Sequence, residues 1–109
     1  MSSPHFWVPN ADVLMSATGE LVIKVELAAL SKENLEITVE GQRFTLTGRR
    51  ADPDGDGAKY LVKEISHGRF ESVVDVPEEF DASRARAEYQ NGILRIVVPP
   101  RIVNRLRRS

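Results

Sequence analysis

The residues of this chain that could do chemistry concentrate in Asp52-Pro53-Asp54-Gly55-Asp56-Gly57. Three carboxylates at alternate positions ahead of a glycine match the opening of an EF-hand calcium loop, whose oxygens hold a hard cation. That loop also needs a bidentate glutamate at its twelfth position; Lys63 stands there, and Glu64 comes one residue too late. A lysine repels the ion that the position must bind, so no calcium site is expected. Gly55-Asp56-Gly57-Ala58-Lys59 lacks the spacing of a phosphate-binding loop, and Tyr60 replaces its hydroxyl residue. Of the two histidines, His5 lies in a terminal segment and His67 in a turn, so neither a metal pair nor a catalytic dyad is indicated. No serine sits in a nucleophile-elbow context. With no cysteine there is no thiolate nucleophile, zinc-thiolate site or disulfide framework. The expectation is a protein without cofactor or metal, and not an enzyme.

What remains is a question of surfaces, and the elements that shape them. At 109 residues the chain is expected to form one domain. Fifteen basic against sixteen acidic side chains leave a net charge of -1, which gives no reason to expect nucleic-acid or anionic-membrane binding. No apolar run approaches the roughly 18 residues of a membrane span, and Met1-Ser2-Ser3-Pro4-His5 lacks the pattern of a signal peptide. A soluble, cytoplasmic protein is expected.

The dominant period is two. Leu21, Val25 and Leu27 alternate with Lys24 and Glu26, and Leu35, Ile37 and Val39 with Glu36, Thr38 and Glu40. Gly41-Gln42, with glycine first, suits a type II′ hairpin turn into Arg43-Phe44-Thr45-Leu46-Thr47. Phe70, Val74 and Val76 alternate with polar residues until Pro77 ends that strand. Ala85, Ala87 and Tyr89 lead into Asn91-Gly92, a strong hairpin signal, and a last strand runs to Pro99. Ala11 to Met15 reads as a first strand. Single helical turns are expected near Ser31 and Asp81, as their caps. The pattern predicts an all-β, antiparallel β-sandwich of seven to nine strands.

Three segments lean toward interaction. Arg49 to Gly68 is an unusually long connection whose middle, Tyr60-Leu61-Val62-Lys63-Glu64-Ile65, is too apolar to lie free in water. It is either an edge strand of the same sandwich or a strand that pairs with another chain. Phe6 and Trp7 in the leading arm either staple that arm to the sandwich or form a sticky contact. The tail from Arg101 to Arg108 carries four arginines and reads as a solubilising segment.

Seven pieces in one order carry a family resemblance. Trp7-Val8-Pro9 with Asp12-Val13, Glu20 to Leu30, Ser31 to Ile37, Phe44 to Arg50, Gly68-Arg69-Phe70, Val76-Pro77, and Ala87 through Asn91, Gly92 and Leu94 resemble the α-crystallin domain of small heat-shock proteins. The resemblance implies an immunoglobulin-like sandwich at 11–99, a short N-terminal arm at 1–10 and a basic C-terminal tail at 100–109. It implies an ATP-independent chaperone that binds unfolding client proteins; the alternative is a CS-type co-chaperone adaptor for folded partners, a family without the long loop. It further implies a homodimer in which Tyr60, Leu61, Val62, Lys63, Glu64 and Ile65 pair with Asp12, Val13, Leu14 and Met15 of the partner. The stretch from Arg49 to Tyr60 spans up to roughly 35 Å when extended, enough to reach a neighbour. Client or groove contacts fall, by the resemblance, on Phe6, Trp7, Leu35, Ile37, Val39, Ala85 and Ala87.

The departures are specific. Ala28-Ala29 replaces a frequent Pro-Gly, and Ser72 a frequent basic residue. The tail has no I-x-I or I-x-V triplet; Ile102-Val103-Asn104 is the nearest approach. A dimer that stops there, or forms only loose larger species, is expected.

Overall fold

Period-two patterning becomes strands wherever turn residues bound it. A computed structural model of the chain describes residues 5–102. The strands are β1 (Ala11–Met15), β2 (Leu21–Glu26), β3 (Leu35–Glu40), β4 (Arg43–Arg50), β5 (Gly68–Asp75), β6 (Arg86–Gln90) and β7 (Ile93–Val98). They form two antiparallel sheets, one ordered β1-β2-β7-β6 and the other β3-β4-β5. The all-β sandwich expected from the pattern is the one observed. Single 3-10 turns at Lys32–Asn34 and Ala82–Arg84 supply the only helical segments among the described residues. Asp81 caps the second as expected, accepting from the Ser83 amide at 3.1 Å, whereas Ser31 makes no side-chain cap bond to the first.

Both two-residue hairpin turns take the conformations their residues favour. Asn91 and Gly92 have φ of 54° and 79°, the two positive values of a type I′ turn. At the other hairpin Gly41 alone is positive, at 60°, which fits type II′. Ala29 is different. Its φ of 58° puts a Cβ-bearing residue in the left-handed region, at a cost of about 1–2 kcal/mol. Ala29→Gly should relieve that strain. After subtracting the entropy glycine adds to the unfolded chain, roughly 0.4–1 kcal/mol, the expected net gain is about 0.5–1 kcal/mol. Thermal denaturation checks it: a rise of about 2–8 °C is expected, and a fall would mean that the strain is absorbed elsewhere.

The core lies between the sheets. Ile23, Val25, Leu94, Ile96 and Val98 from one meet Phe44, Leu46 and Phe70 from the other. Each such side chain contributes about 1.5–3 kcal/mol by leaving water. Ser72, in register with Leu46, joins this inner face as a buried polar residue. Val22 is also buried, but on the outer face, where its register neighbours are Leu14 and Val97. Alternation alone assigned that face to solvent. Among the described residues no helix is long and apolar enough to cross a membrane.

Candidate functional site

β1 is the open edge of the four-stranded sheet. The parity of its bonds is set at both ends, because the Ser16 amide donates to the Glu20 carbonyl at 2.8 Å and the Glu26 amide to the Asn10 carbonyl at 3.0 Å. Even-numbered residues therefore bond β2, and Ala11, Val13 and Met15 direct their amides and carbonyls outward. By register Val13 and Met15 share a face with core residues Ile23 and Leu21, yet they are 53% and 65% exposed. Among the described residues nothing covers this end of the inner face. A row of unpaired backbone groups beside uncovered apolar side chains is a template for a further strand.

The long loop joins β4 to β5 at the register pair Arg50↔Gly68. Tyr60 to Ile65 belongs to neither sheet, so its reading as an edge strand of the same sandwich is overturned. The alternating apolar positions that suggested a strand pair with none of the edges of their own protomer. Leu61, Val62 and Ile65 project into solvent instead, Leu61 at 90% exposure.

The loop is organised from within by Asp52. Its carboxylate accepts from the Tyr60 hydroxyl at 2.5 Å, Lys63 Nζ at 3.2 Å and the Asp54 amide at 3.1 Å. Lys63 Nζ also lies 3.3 Å from His67 Nδ1 and sits over the Tyr60 ring. The residue at the twelfth EF-hand position is thus itself bonded to the first carboxylate. Donation from Tyr60, above all, holds the Asp52 carboxyl down at about 2, and the same bond pushes the Tyr60 phenol up to about 12. The depressed acid supports the loop fully above its ordinary range near 4, and the support is lost as pH falls toward 2. The raised phenol supports it below about 10, and the support is lost as pH climbs through 12. Asp52→Ala should therefore bring Tyr60 ionisation back toward 10 in an ultraviolet titration and speed tryptic cleavage after Lys63. Unchanged cleavage would show that the loop holds its shape without Asp52.

The arm is stapled. The Trp7 amide donates to the Arg69 carbonyl at 3.0 Å, the Glu71 amide to the Trp7 carbonyl at 3.2 Å, and Trp7 Nε1 to the Gly68 carbonyl at 3.0 Å. The indole packs on Phe70 with ring centroids 5.3 Å apart, under the Arg50 guanidinium. Of the two readings open for these aromatics, Trp7 takes the staple. Phe6 stays partly exposed, with Arg69 over its ring, and lines a cleft of about 390 Å³ with Leu35, Gly48 and Phe70.

The remaining positions lie on the other edges. Leu35, Ile37 and Val39 are on β3, an edge of the three-stranded sheet, and Ala87 is on β6, an edge of the four-stranded one. Leu35, Ile37 and Ala85 are half-buried at the margin of the core, while Val39 and Ala87 are exposed. Asn91 and Gly92 make the β6–β7 turn, against Ala28, and Leu94 is core. Two residues escaped the sequence reading. Gln42 Nε2 donates to the Phe80 carbonyl at 2.8 Å and its Oε1 accepts from Arg101 at 3.1 Å, pinning the start of the tail. Arg50 had a signal, since it closes the Gly48-Arg49-Arg50 motif, but its partners lie far away in sequence. Of the tail motif only Ile102 falls within the described residues; Val103 and Asn104 lie outside them.

A family model described as the Hsp20/alpha crystallin family matches residues 13–108. A 19.0 kDa class II heat shock protein of Oryza sativa subsp. japonica is 33% identical over 91 residues, covering 77% of this chain and 52% of that protein. Spore protein SP21 of Stigmatella aurantiaca is 27% identical over 99 residues, covering 90% and 58%. The chain spans little more than half the length of these two relatives. Among solved structures, a small heat-shock protein from Xylella fastidiosa superposes with a TM-score of 0.83 at 22% identity, covering 96% of each chain. Heat shock protein 16.0 from Schizosaccharomyces pombe gives 0.79 at 21% identity, over 97% of this chain and 76% of that one. At these identities the structures support the fold alone.

Proposed function

The chain belongs to the Hsp20/alpha crystallin family, and from that premise we propose that it is an ATP-independent holdase, binding exposed apolar segments of unfolding client proteins and limiting their aggregation. The observation that carries this reading is the open β1 edge, with Val13 and Met15 uncovered beside outward-facing amides. An extended apolar segment satisfies such an edge through main-chain bonds, with little demand on its sequence. Phe6, Leu35, Ile37, Val39, Ala85 and Ala87 offer further apolar contacts at the sheet margins, and Trp7 acts from beneath, by holding the arm. The chemistry is binding and release, so no catalytic residue, cofactor or metal enters it. The CS-type adaptor is less well supported, because the loop at 51–67 has no role there.

The first occupant of the edge is a second copy of this chain. In this reading Tyr60 to Ile65 of each protomer adds beside Asp12, Val13, Leu14 and Met15 of the other, and two-fold symmetry closes the pair. Exposed Leu61, Val62 and Ile65 supply the apolar faces that such a strand needs. Growth beyond the dimer is weak. Asn104 stands where a second apolar tail anchor would be, and burying its amide unpaired costs roughly 1–3 kcal/mol. We assign the arm, domain and tail to 1–10, 11–99 and 100–109, and the protein to the cytoplasm, where a cysteine-free chain with a net charge of -1 needs neither membrane nor nucleic acid. Light scattering of a heated client tests the holdase: suppression without ATP is expected, and unchanged scattering at several-fold molar excess would refute it. Size-exclusion with light scattering should give a dimer mass; a uniform large assembly would sink the dimer reading.

A further inference from the structure

The geometry points to Arg50 as a positioning residue that couples the N-terminal arm to the exchange loop, so that docking of Trp7 sets how Tyr60 to Ile65 is offered to a second chain. The inference rests on the strand-exchange reading above. Arg50 ends β4 at the register pair with Gly68, where the loop leaves the sheet and returns. Its guanidinium is committed on three sides. Nε and one terminal nitrogen fork onto the Ser66 carbonyl at 2.9 and 2.7 Å, and the other terminal nitrogen donates to the Ala28 carbonyl at 3.1 Å. Its flat face lies 4.3 Å from the Trp7 ring. One side chain thus touches the arm, the segment after β2, and the residue next to the end of the exchange strand.

No second tie among the described residues does this. Among the described residues the other side-chain hydrogen bonds of 51–67, those around Asp52 and Lys63, join loop to loop. They make the loop one body without attaching it to the sandwich. The loop's packing against the arm is open. Clefts of about 460 and 330 Å³ separate Glu64, Ile65 and Ser66 from the arm on either side of Trp7. When the Arg50 fork lets go, the body is free to swing about Arg50 and Gly68. Trp7 opposes release: its indole covers the guanidinium, and its Nε1 bonds Gly68 at the same hinge. Lysine cannot replace Arg50, because a point charge neither forks onto one carbonyl nor stacks flat on an indole.

Trp7 is the only tryptophan, so its fluorescence reports the contact directly. In the full chain, Arg50→Ala and Arg50→Lys should each red-shift Trp7 emission and weaken the dimer about tenfold in sedimentation equilibrium. Trp7→Leu should weaken it similarly, and the double variant no further than either single one, as for two residues acting through one contact. Wild-type dimerisation by Arg50→Lys, or effects of Arg50 and Trp7 that multiply, would overturn the coupling. Should Arg50→Ala not fold, Arg50→Lys and Trp7→Phe carry the same test on dissociation constants. A chain lacking residues 54–65 separates the two ideas. If it still dimerises, strand exchange itself is wrong; if it is monomeric while the Arg50 and Trp7 variants match wild type, only the coupling fails.

Discussion

Gly48→Ala should destabilise the domain by about 3 kcal/mol or more, at the upper end of overpacking effects. Gly48 lies between Leu35 and Phe70 in the three-stranded sheet. A Cβ added there would fall 2.2 Å from the Asn34 carbonyl oxygen and 2.5 Å from the nearest Phe70 ring carbon. Neither neighbour can retreat cheaply. Asn34 is held by its amide, which donates to the Ser31 carbonyl in the turn leading into β3. Phe70 is fully buried, and its ring packs against Trp7. At about 4–8 °C per kcal/mol for a domain of this size, the melting temperature should drop by roughly 12 °C or more. A drop of less than about 5 °C would show that β3 can slide away from β4. The same substitution should loosen the arm, because a displaced Phe70 carries Trp7 with it.

On the strand-exchange reading proposed above, Val13→Pro is expected to abolish the dimer while sparing the fold. The Val13 amide points to the open side of β1, so the substitution removes no bond to β2. Proline is tolerated on the outward-facing positions of edge strands, and the preceding Asp12 is already extended. A strand from another chain, however, would meet a ring where it needs a donor. The same change at an even-numbered position, such as Leu14→Pro, would break a bond to β2 and cost stability directly. The contrast is the test. Val13→Pro should run as a monomer in size-exclusion with light scattering, with a melting temperature near that of other monomeric variants. A Val13→Pro dimer would remove β1 as the receiving edge. Weaker suppression of client aggregation in the same variant would place clients and the second chain on one surface.

The strands were legible because their signals are local. Alternation in Leu35 to Glu40 needs only that one face be buried, and Asn91-Gly92 needs only its own backbone preferences. A family resemblance carried by seven short motifs added the sandwich as a whole and an expected role for the loop. Val22 shows where periodicity stops: the outer face of a sheet is not uniformly wet, and Leu14 and Val97 bury a residue that alternation assigned to solvent. Ser31 and Asp81 looked equivalent as caps, yet only the Asp81 side chain accepts from a backbone amide of its helical turn. Such choices depend on neighbours that a one-dimensional pattern does not contain.

By itself the sequence determined an all-β sandwich, its turns, and the segments worth watching. Those follow from backbone preference and from the free energy of hiding apolar side chains, both readable within a few residues. Only the tertiary structure decided what those segments do in the protomer. Trp7 meets Gly68 across 61 positions of sequence, Arg101 meets Gln42 across 59, and Arg50 meets Ala28 across 22. Each pairing depends on which sheet edge the chain returns to. The same holds for the loop. Tyr60 to Ile65 is a strand by composition, but a strand exists only where a partner edge supplies hydrogen bonds, and within the protomer the segment lies against no edge of its own sandwich.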